Sequence, residues 1–348
     1  MCIVIFTTAH PDYPLIVIDN RDEFILRPTS RPHWWKHPKS GQHVLSSRDL
    51  QRHEQGTWLG ITKTGEFAVL TNYRETSNHD AAHPVSGVKS RGGMVTAWLS
   101  GLAEEGVPQG VQHLVKDNGV KGVGGFSMVC GKLKRDPHDI AIVSNRCGHV
   151  DDVPLVGKER GKTWALSNTA FDDPIEWPKV QNGKKLVDSV VREAAANGTS
   201  QQELVASLLS VLDNDTLPKL DAGATMQEYI MQLRNSIFVP PVGDDNHKLE
   251  MEEARAKGRV AWNKAPTNLR TVGDSIPGHH TPDPTVGFET GMYGTQRQTV
   301  MLVDNDGNVT YTERALWDAN GNEIPRGQGD VTVQFKIDGW DEGYAEKI

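Results

Sequence analysis

The chain has 348 residues, a net charge of −8, 37% apolar and 7% aromatic content. That length allows one large domain or two small ones, and the acidic balance, with no Lys/Arg block, argues against a nucleic-acid or anionic-membrane partner. Aliphatic runs such as "CIVIF" and "LIVI" fall far short of the ~20 residues that cross a bilayer. No basic segment precedes them as in a cleaved signal peptide, and three cysteines without paired spacing point to free thiols in a reducing, intracellular compartment.

In chain order, residues 2–8 and 15–22 read as two strands joined by the turn "AHPDYP". Both are apolar on both faces, so their sheet is covered on each side. "GTWLGIT" and "FAVLTNYR" follow as a hairpin closed by "KTGE". Residues 90–102 place Val95, Trp98, Leu99 and Leu102 on one side of a short helix. Strands resume at 126–133, 139–145 and 163–168. Two helices come next, "GKKLVDSVVREAAA" and "SQQELVASLLSVL"; Ser200 and Glu203 have the spacing of a capping box at the start of the second. Residues 240–292 are polar, Pro/Gly-rich and weakly periodic, and read as a surface insertion in a single domain of 1–348. A hairpin around Asp306-Gly307 and a last strand, "DVTVQFKI", complete the chain. Strands, a helix pair and strands again predict stacked α and β layers, not alternating βαβ units.

The second strand runs from "LIVI" straight into Asp19, Asn20, Arg21, Asp22 and Glu23. If the first two strands pair about a turn near Asp12, Cys2 faces Asp22, or Arg21 or Glu23 after a slip of one residue. Opposed side chains then lie ~4.5–5.5 Å apart at Cβ. Removal of Met1 would give Cys2 a free α-amine beside its thiol, a nucleophile and a base within one residue. A neighbouring Arg favours the thiolate and an Asp can position the amine. The competing reading makes Cys2 a small buried hydrophobe and pairs Arg21 with Asp22 or Glu23.

"NRDE" at 20–23, in a chain beginning "MC", resembles the NRDE, or transport and Golgi organisation protein 2, family. The likeness continues through "RPTSRPHWW", "GTWLGITKTGEFAVLTNYR", "SRGGMV", "GGFSMVCG", "WALSNTAFDDP" with "WPKV", and "YGTQRQTVMLVDNDGNVTYTER". It implies an α+β fold, the four-layer αββα sandwich of N-terminal-nucleophile hydrolases, with a distant likeness to choloylglycine and penicillin V acylases. Residue by residue, it implies a site of Cys2, Arg21, Asp22, Asn168 in "LSNTAF" and Arg297 in "YGTQRQTV", with Asn72 in "LTNYR" as a looser amide donor. Here Arg21 adjoins Asp22, and neighbouring strand residues point to opposite faces.

Two functions follow as expectations. In one, Cys2 hydrolyses a small linear amide, Asn168 and Asn72 donate to the oxyanion, and Arg297 with Asp22 holds the terminus. In the other, the old pocket carries a lipid or haem-like ligand without catalysis. The family's association with Golgi organisation, secretion, haem mobilisation and lipid homeostasis fits that second role, in a cytoplasmic protein associated with the Golgi or mitochondria. Neither requires a cofactor; haem enters only as cargo. His33 and His37, four apart, lack a third metal ligand. "DNDGNVTYTE" has its Gly too early for a calcium loop, and "GVGGF" lacks the flanking strand and helix of a dinucleotide loop. His279 and His280 read as exposed loop residues, Cys130 and Cys147 as packed thiols.

Overall fold

The computed structural model describes residues 2–52, 54–73, 90–116, 119–120, 122–135, 139–171, 173, 175–220, 223–261 and 290–341. The first half contains β1 (Ile3–Thr7), β2 (Leu15–Phe24), β3 (His33–Lys36), β4 (His43–Ser46), β5 (Leu59–Thr62), β6 (Glu66–Asn72), α1 (Arg91–Trp98), α2 (Val107–Val115), β7 (Phe126–Lys132), β8 (Ile140–Ser144), β9 (Leu155–Val156) and β10 (Thr163–Leu166). The second contains α3 (Pro178–Asn197), α4 (Gln201–Leu212), α5 (Met226–Gln232), α6 (Asp245–Ala256), β11 (Tyr293–Val303), β12 (Asn308–Ala315) and β13 (Asp330–Lys336).

Two antiparallel sheets result. One runs β10-β1-β2-β11-β12-β13, the other β3 to β9 in sequence order. The unbroken apolar runs of β1 and β2 have a direct explanation. Val4, Phe6, Leu15 and Val17 enter a core between the sheets, shared with Leu45, Ile61, Phe67 and Val129. The alternate residues Ile3, Ile5, Ile16 and Ile18 enter a second core beneath α3 and α4. On the far side, α1 and α2 bury Val95, Trp98, Val111 and Leu114 against the outer face of the other sheet. The layers are therefore helix, sheet, sheet, helix, the αββα order that the resemblance implies.

Local signals account for many boundaries. Pro178 opens α3, where its missing N–H costs nothing, and Gly198 closes it at φ 60°. Ser200 and Glu203 form the expected reciprocal cap on α4. His33 lies on β3 and not on a helix, which removes the helical spacing of His33 and His37.

The surface insertion expected at 240–292 is anchored at its start. Its described part, 240–261, is tied to the core: Val242 and Tyr293 exchange two backbone hydrogen bonds of 2.8 Å, and α6 buries Met251 and Ala254, Met251 packing with Ile25, Leu316 and Trp317. Two buried residues in twelve leave too faint a periodicity to read as a helix. Residues 262–289, with His279 and His280, lie outside the described residues.

The start of α1 rests on the loop before β5. A Cβ added at Gly56 would lie 2.7 Å from the backbone carbon of Gly92, whereas one at Gly93 would meet only the Ser90 Cβ, at 3.9 Å. Gly56→Ala is expected to cost about 1–3 kcal/mol through overpacking. Gly93→Ala should be neutral or stabilising by up to about 1 kcal/mol, because glycine inside a helix is entropically unfavourable. Urea midpoints of the two variants, read against the parent, check both signs.

Candidate functional site

The β1–β2 register pairs Ile3 with Asn20 and Val4 with Asp19. Extending it by one residue sets Cys2 opposite Arg21. The pairing with Asp22 expected from a turn near Asp12 is thus corrected by one residue, because the hairpin turns between Pro11 and Asp12. On the other flank, Val4 pairs with Leu166, so the same extension sets Cys2 opposite Asn168. β11 pairs Arg297 with Arg21. Asn168, Cys2, Arg21 and Arg297 therefore form one row across four strands. The last pairing depends on a bulge: β11 shifts register between Thr295, opposite Asp22, and Arg297, leaving Gln296 over.

The side chains diverge from this row. Cys2 is 2% exposed, and its Sγ lies 3.7 Å from the Asp22 carbonyl oxygen. Burial, with the Asp22 and Asp19 carboxylates adding, pushes the thiol up to about 12. The Cys2 carbonyl accepts from Ser167 Oγ at 2.8 Å and from Lys179 Nζ at 3.4 Å. The Ser167 Oγ also lies 3.3 Å from the Asn168 Oδ1. Asp22 points to the helix-covered face, as does Asn20, whose Nδ2 donates to the Leu212 and Ile237 carbonyls. One Asp22 carboxylate oxygen accepts from Thr295 Oγ1 at 2.7 Å. Burial raises the Asp22 pKa, opposed by the ammonium of Lys179 and by the Thr295 hydroxyl. Burial in turn lowers that of Lys179, opposed by Asp22 and Cys2.

The two arginines carry their charge elsewhere. Arg21 donates to Gln296 Oε1 at 3.0 Å and to Thr29 Oγ1 at 3.2 Å, and lies 4.6 Å over the Trp58 ring. Arg297 donates to the Trp317 carbonyl at 3.1 Å. The charged side chains that interact with the Cys2 thiol include Asp22, Asp19, Lys179 and Arg91.

Asn72 ends β6 in the facing sheet. Beside it, Thr71 Oγ1 donates to the Ser167 carbonyl at 2.7 Å, joining that sheet to the Asn168 segment. Asn72 lines an open cleft with Glu23, Arg27, Trp58, Ser90 and Arg91. Cys2 is not part of its wall, although its charge is felt by Arg91.

Lys179 escaped the sequence reading, and so did Ser167 and Thr295. Lys179 left a signal. It is the second residue of α3, immediately after Pro178, where the helix dipole disfavours a cation. A lysine at that position needs a partner of opposite charge, and Asp22 supplies it.

The Transport and Golgi organisation 2 family matches residues 1–318. The Transport and Golgi organization protein 2 homolog of Homo sapiens is 27% identical over 326 residues, covering 91% of this chain and 94% of that protein. The Bos taurus homolog is 28% identical over 327 residues, covering 91% and 93%. Transport and Golgi organization protein 2 of Drosophila melanogaster is 27% identical over 224 residues, covering 62% and 72%. Among solved structures, a mutant conjugated bile acid hydrolase from Clostridium perfringens aligns with a TM-score of 0.41 at 9% identity, over 97% of this chain and 92% of that one. A Caenorhabditis elegans N-acylethanolamine-hydrolyzing acid amidase ortholog aligns at 0.36 and 8%, over 60% and 85%. At such values the structural likeness supports no argument about chemistry.

Proposed function

The chain belongs to the Transport and Golgi organisation 2 family, and from that premise we propose that it carries a latent amide hydrolase whose nucleophile is Cys2. The supporting observation is the group of Cys2, Asp22 and Lys179, brought together from β1, β2 and α3 and 2%, 1% and 0% exposed. Apolar residues of similar volume would fill that space at lower cost. Perturbed, mutually dependent titratable groups at one point favour a chemical role over a packing one.

Loss of Met1 makes the Cys2 α-amine the base. It takes the thiol proton, and the thiolate adds to the carbonyl carbon of a linear amide. Asn168, and Asn72 of the facing sheet, donate to the oxyanion. Collapse breaks the C–N bond, and the amine leaves with the proton. Water then cleaves the thioester, releasing the acid and restoring the thiol. Lys179 and Ser167 hold the Cys2 carbonyl throughout, and Lys179 balances Asp22. A thiol held near 12 is protonated at neutral pH, so the chain that keeps Met1 is inactive in this reading. Intact mass establishes the state of Met1, and a panel of N-acyl amides is then offered to both forms. The Met-free form is expected to turn over at least one amide, to lose that activity in Cys2→Ala and to keep it in Cys130→Ala. Equal turnover by the form retaining Met1 would sink the mechanism.

The burial of Cys2 favours a second reading, a non-catalytic carrier for a lipid or haem-like cargo serving Golgi organisation and secretion. Among the described residues, no helix is long and apolar enough to cross a membrane. For a carrier, equilibrium dialysis with haem or a labelled lipid should give the same affinity in Cys2→Ala as in the parent.

A further inference from the structure

Once Met1 is removed, two amines share one buried place, the Cys2 α-amine and the Lys179 side chain. Lys179 Nζ is 3.4 Å from the Cys2 carbonyl oxygen, on the same residue as that amine. Cys2, Asp22 and Lys179 are 2%, 1% and 0% exposed. Lys179 and Asp22 feel each other's charge. Of the other charged groups that meet Cys2, Asp19 on β2 is offset by Arg21, and Arg91 at the start of α1 by Glu23. The β10 flank presents Ser167 and Asn168, which carry no charge.

A protonated α-amine would therefore be a second cation beside charges that already balance, and burial penalises it. One of the two amines must give its proton to solvent. An α-amine ordinarily titrates at about 7.7–8.0 and a lysine at about 10.4, so the α-amine yields first. Lys179 also has more to hold its charge, namely the Cys2 carbonyl and the Trp177 ring, 5.9 Å from its Nζ. We propose that Lys179 is a positioning residue that keeps the Cys2 α-amine unprotonated at neutral pH, a ready base for the thiol. This role rests on the reading of Cys2 as nucleophile, and adds why its base is free.

The test reads the amine itself and needs no substrate. The full chain carrying Cys2→Ala and freed of Met1, as intact mass verifies, is trace-labelled with acetic anhydride from pH 5 to 9. Acetylation of the N-terminal peptide is followed by mass spectrometry. The amine should titrate about one pH unit or more below its ordinary value. With Lys179→Met added, Asp22 is left as the opposing charge, and labelling at pH 7 should fall about tenfold. Lys179→Arg keeps the cation and should keep the amine low, which lost packing alone would not do. Should Lys179→Met fail to fold, Lys179→Gln, whose amide can still donate to the Cys2 carbonyl, takes its place. An amine with its ordinary value in the chain that has Lys179, or one unmoved by removing the Lys179 charge, overturns the proposal. A low, Lys179-dependent amine in a chain that cleaves no amide upholds it and counts against the hydrolase alone.

Discussion

Lys179→Met is expected to destabilise the protein by about 3–5 kcal/mol, the range for removing one partner of a buried charge pair. Lys179 is 0% exposed and Asp22 1% exposed, so Asp22 would lose an opposing charge in a medium that solvates its carboxylate poorly, while the Thr295 hydroxyl still donates to it. The double variant Lys179→Met/Asp22→Asn should recover a large part of the loss, since it removes both charges and not just one. Urea unfolding of the two single variants and the double one gives the coupling directly. A cost below about 1 kcal/mol for Lys179→Met, or additivity in the double variant, would show that the pair is not a unit. Either result would also withdraw the main support for a chemical role at Cys2.

The second large effect is a pH dependence. Burial pushes Asp19 up to about 8, with Arg21 opposing and Asp22 and Glu313 adding. An unfolded chain ionises aspartate near pH 4, so between that pH and 8 the folded state binds the extra proton. Stability therefore falls as pH rises across this window, by at most about 5 kcal/mol for this one group. Asp19→Asn mimics the protonated form and should flatten the slope, leaving the part due to Asp22, whose pKa burial also raises, and the opposite contribution of His10, His33 and His37, whose pKa burial lowers. Urea midpoints at pH 5 and pH 8.5 settle the matter: equal slopes in parent and variant would mean that Asp19 is ionised throughout.

Much of the fold was legible because its signals are local or periodic. The runs "CIVIF" and "LIVI" announced a sheet covered on both sides, and each apolar residue of β1 lies in one of two cores. The Ser200–Glu203 cap and the turn at Gly307, with φ 79°, were specified by residues within a few positions of each other. What was not legible depended on distant partners. The register of β1 on β2 was misjudged by one residue because the turn between them does not fix its own centre. Asn168 and Arg297 were identified through the family likeness, and the row that joins them to Cys2 needs three separate strand pairings. Nor could the sequence tell that the guanidinium groups of Arg21 and Arg297 engage Thr29, Gln296 and the Trp317 carbonyl, since strand parity fixes only a face and not a reach. α6 escaped because its contacts are few, and Lys179 because a single charge in a helix carries no period.

The bulge at Gln296 separates two reading frames within β11. Before it, Thr295 turns toward Asp22 and the helices; after it, the odd-numbered Met301 joins the core between the sheets, while Val300 and Leu302 join the other. Gln296 also holds the backbone of Ile25 and Arg27 through its Nε2, at 3.1 and 2.9 Å. Replacing it by another residue removes those contacts but keeps the frame. Deleting it would turn one side of the strand inside out, so that either Tyr293 to Thr295 or everything from Arg297 onward changed faces at once. This strand should therefore tolerate many spellings and only one length, and an insertion or deletion here is a lesion of a different order from any substitution.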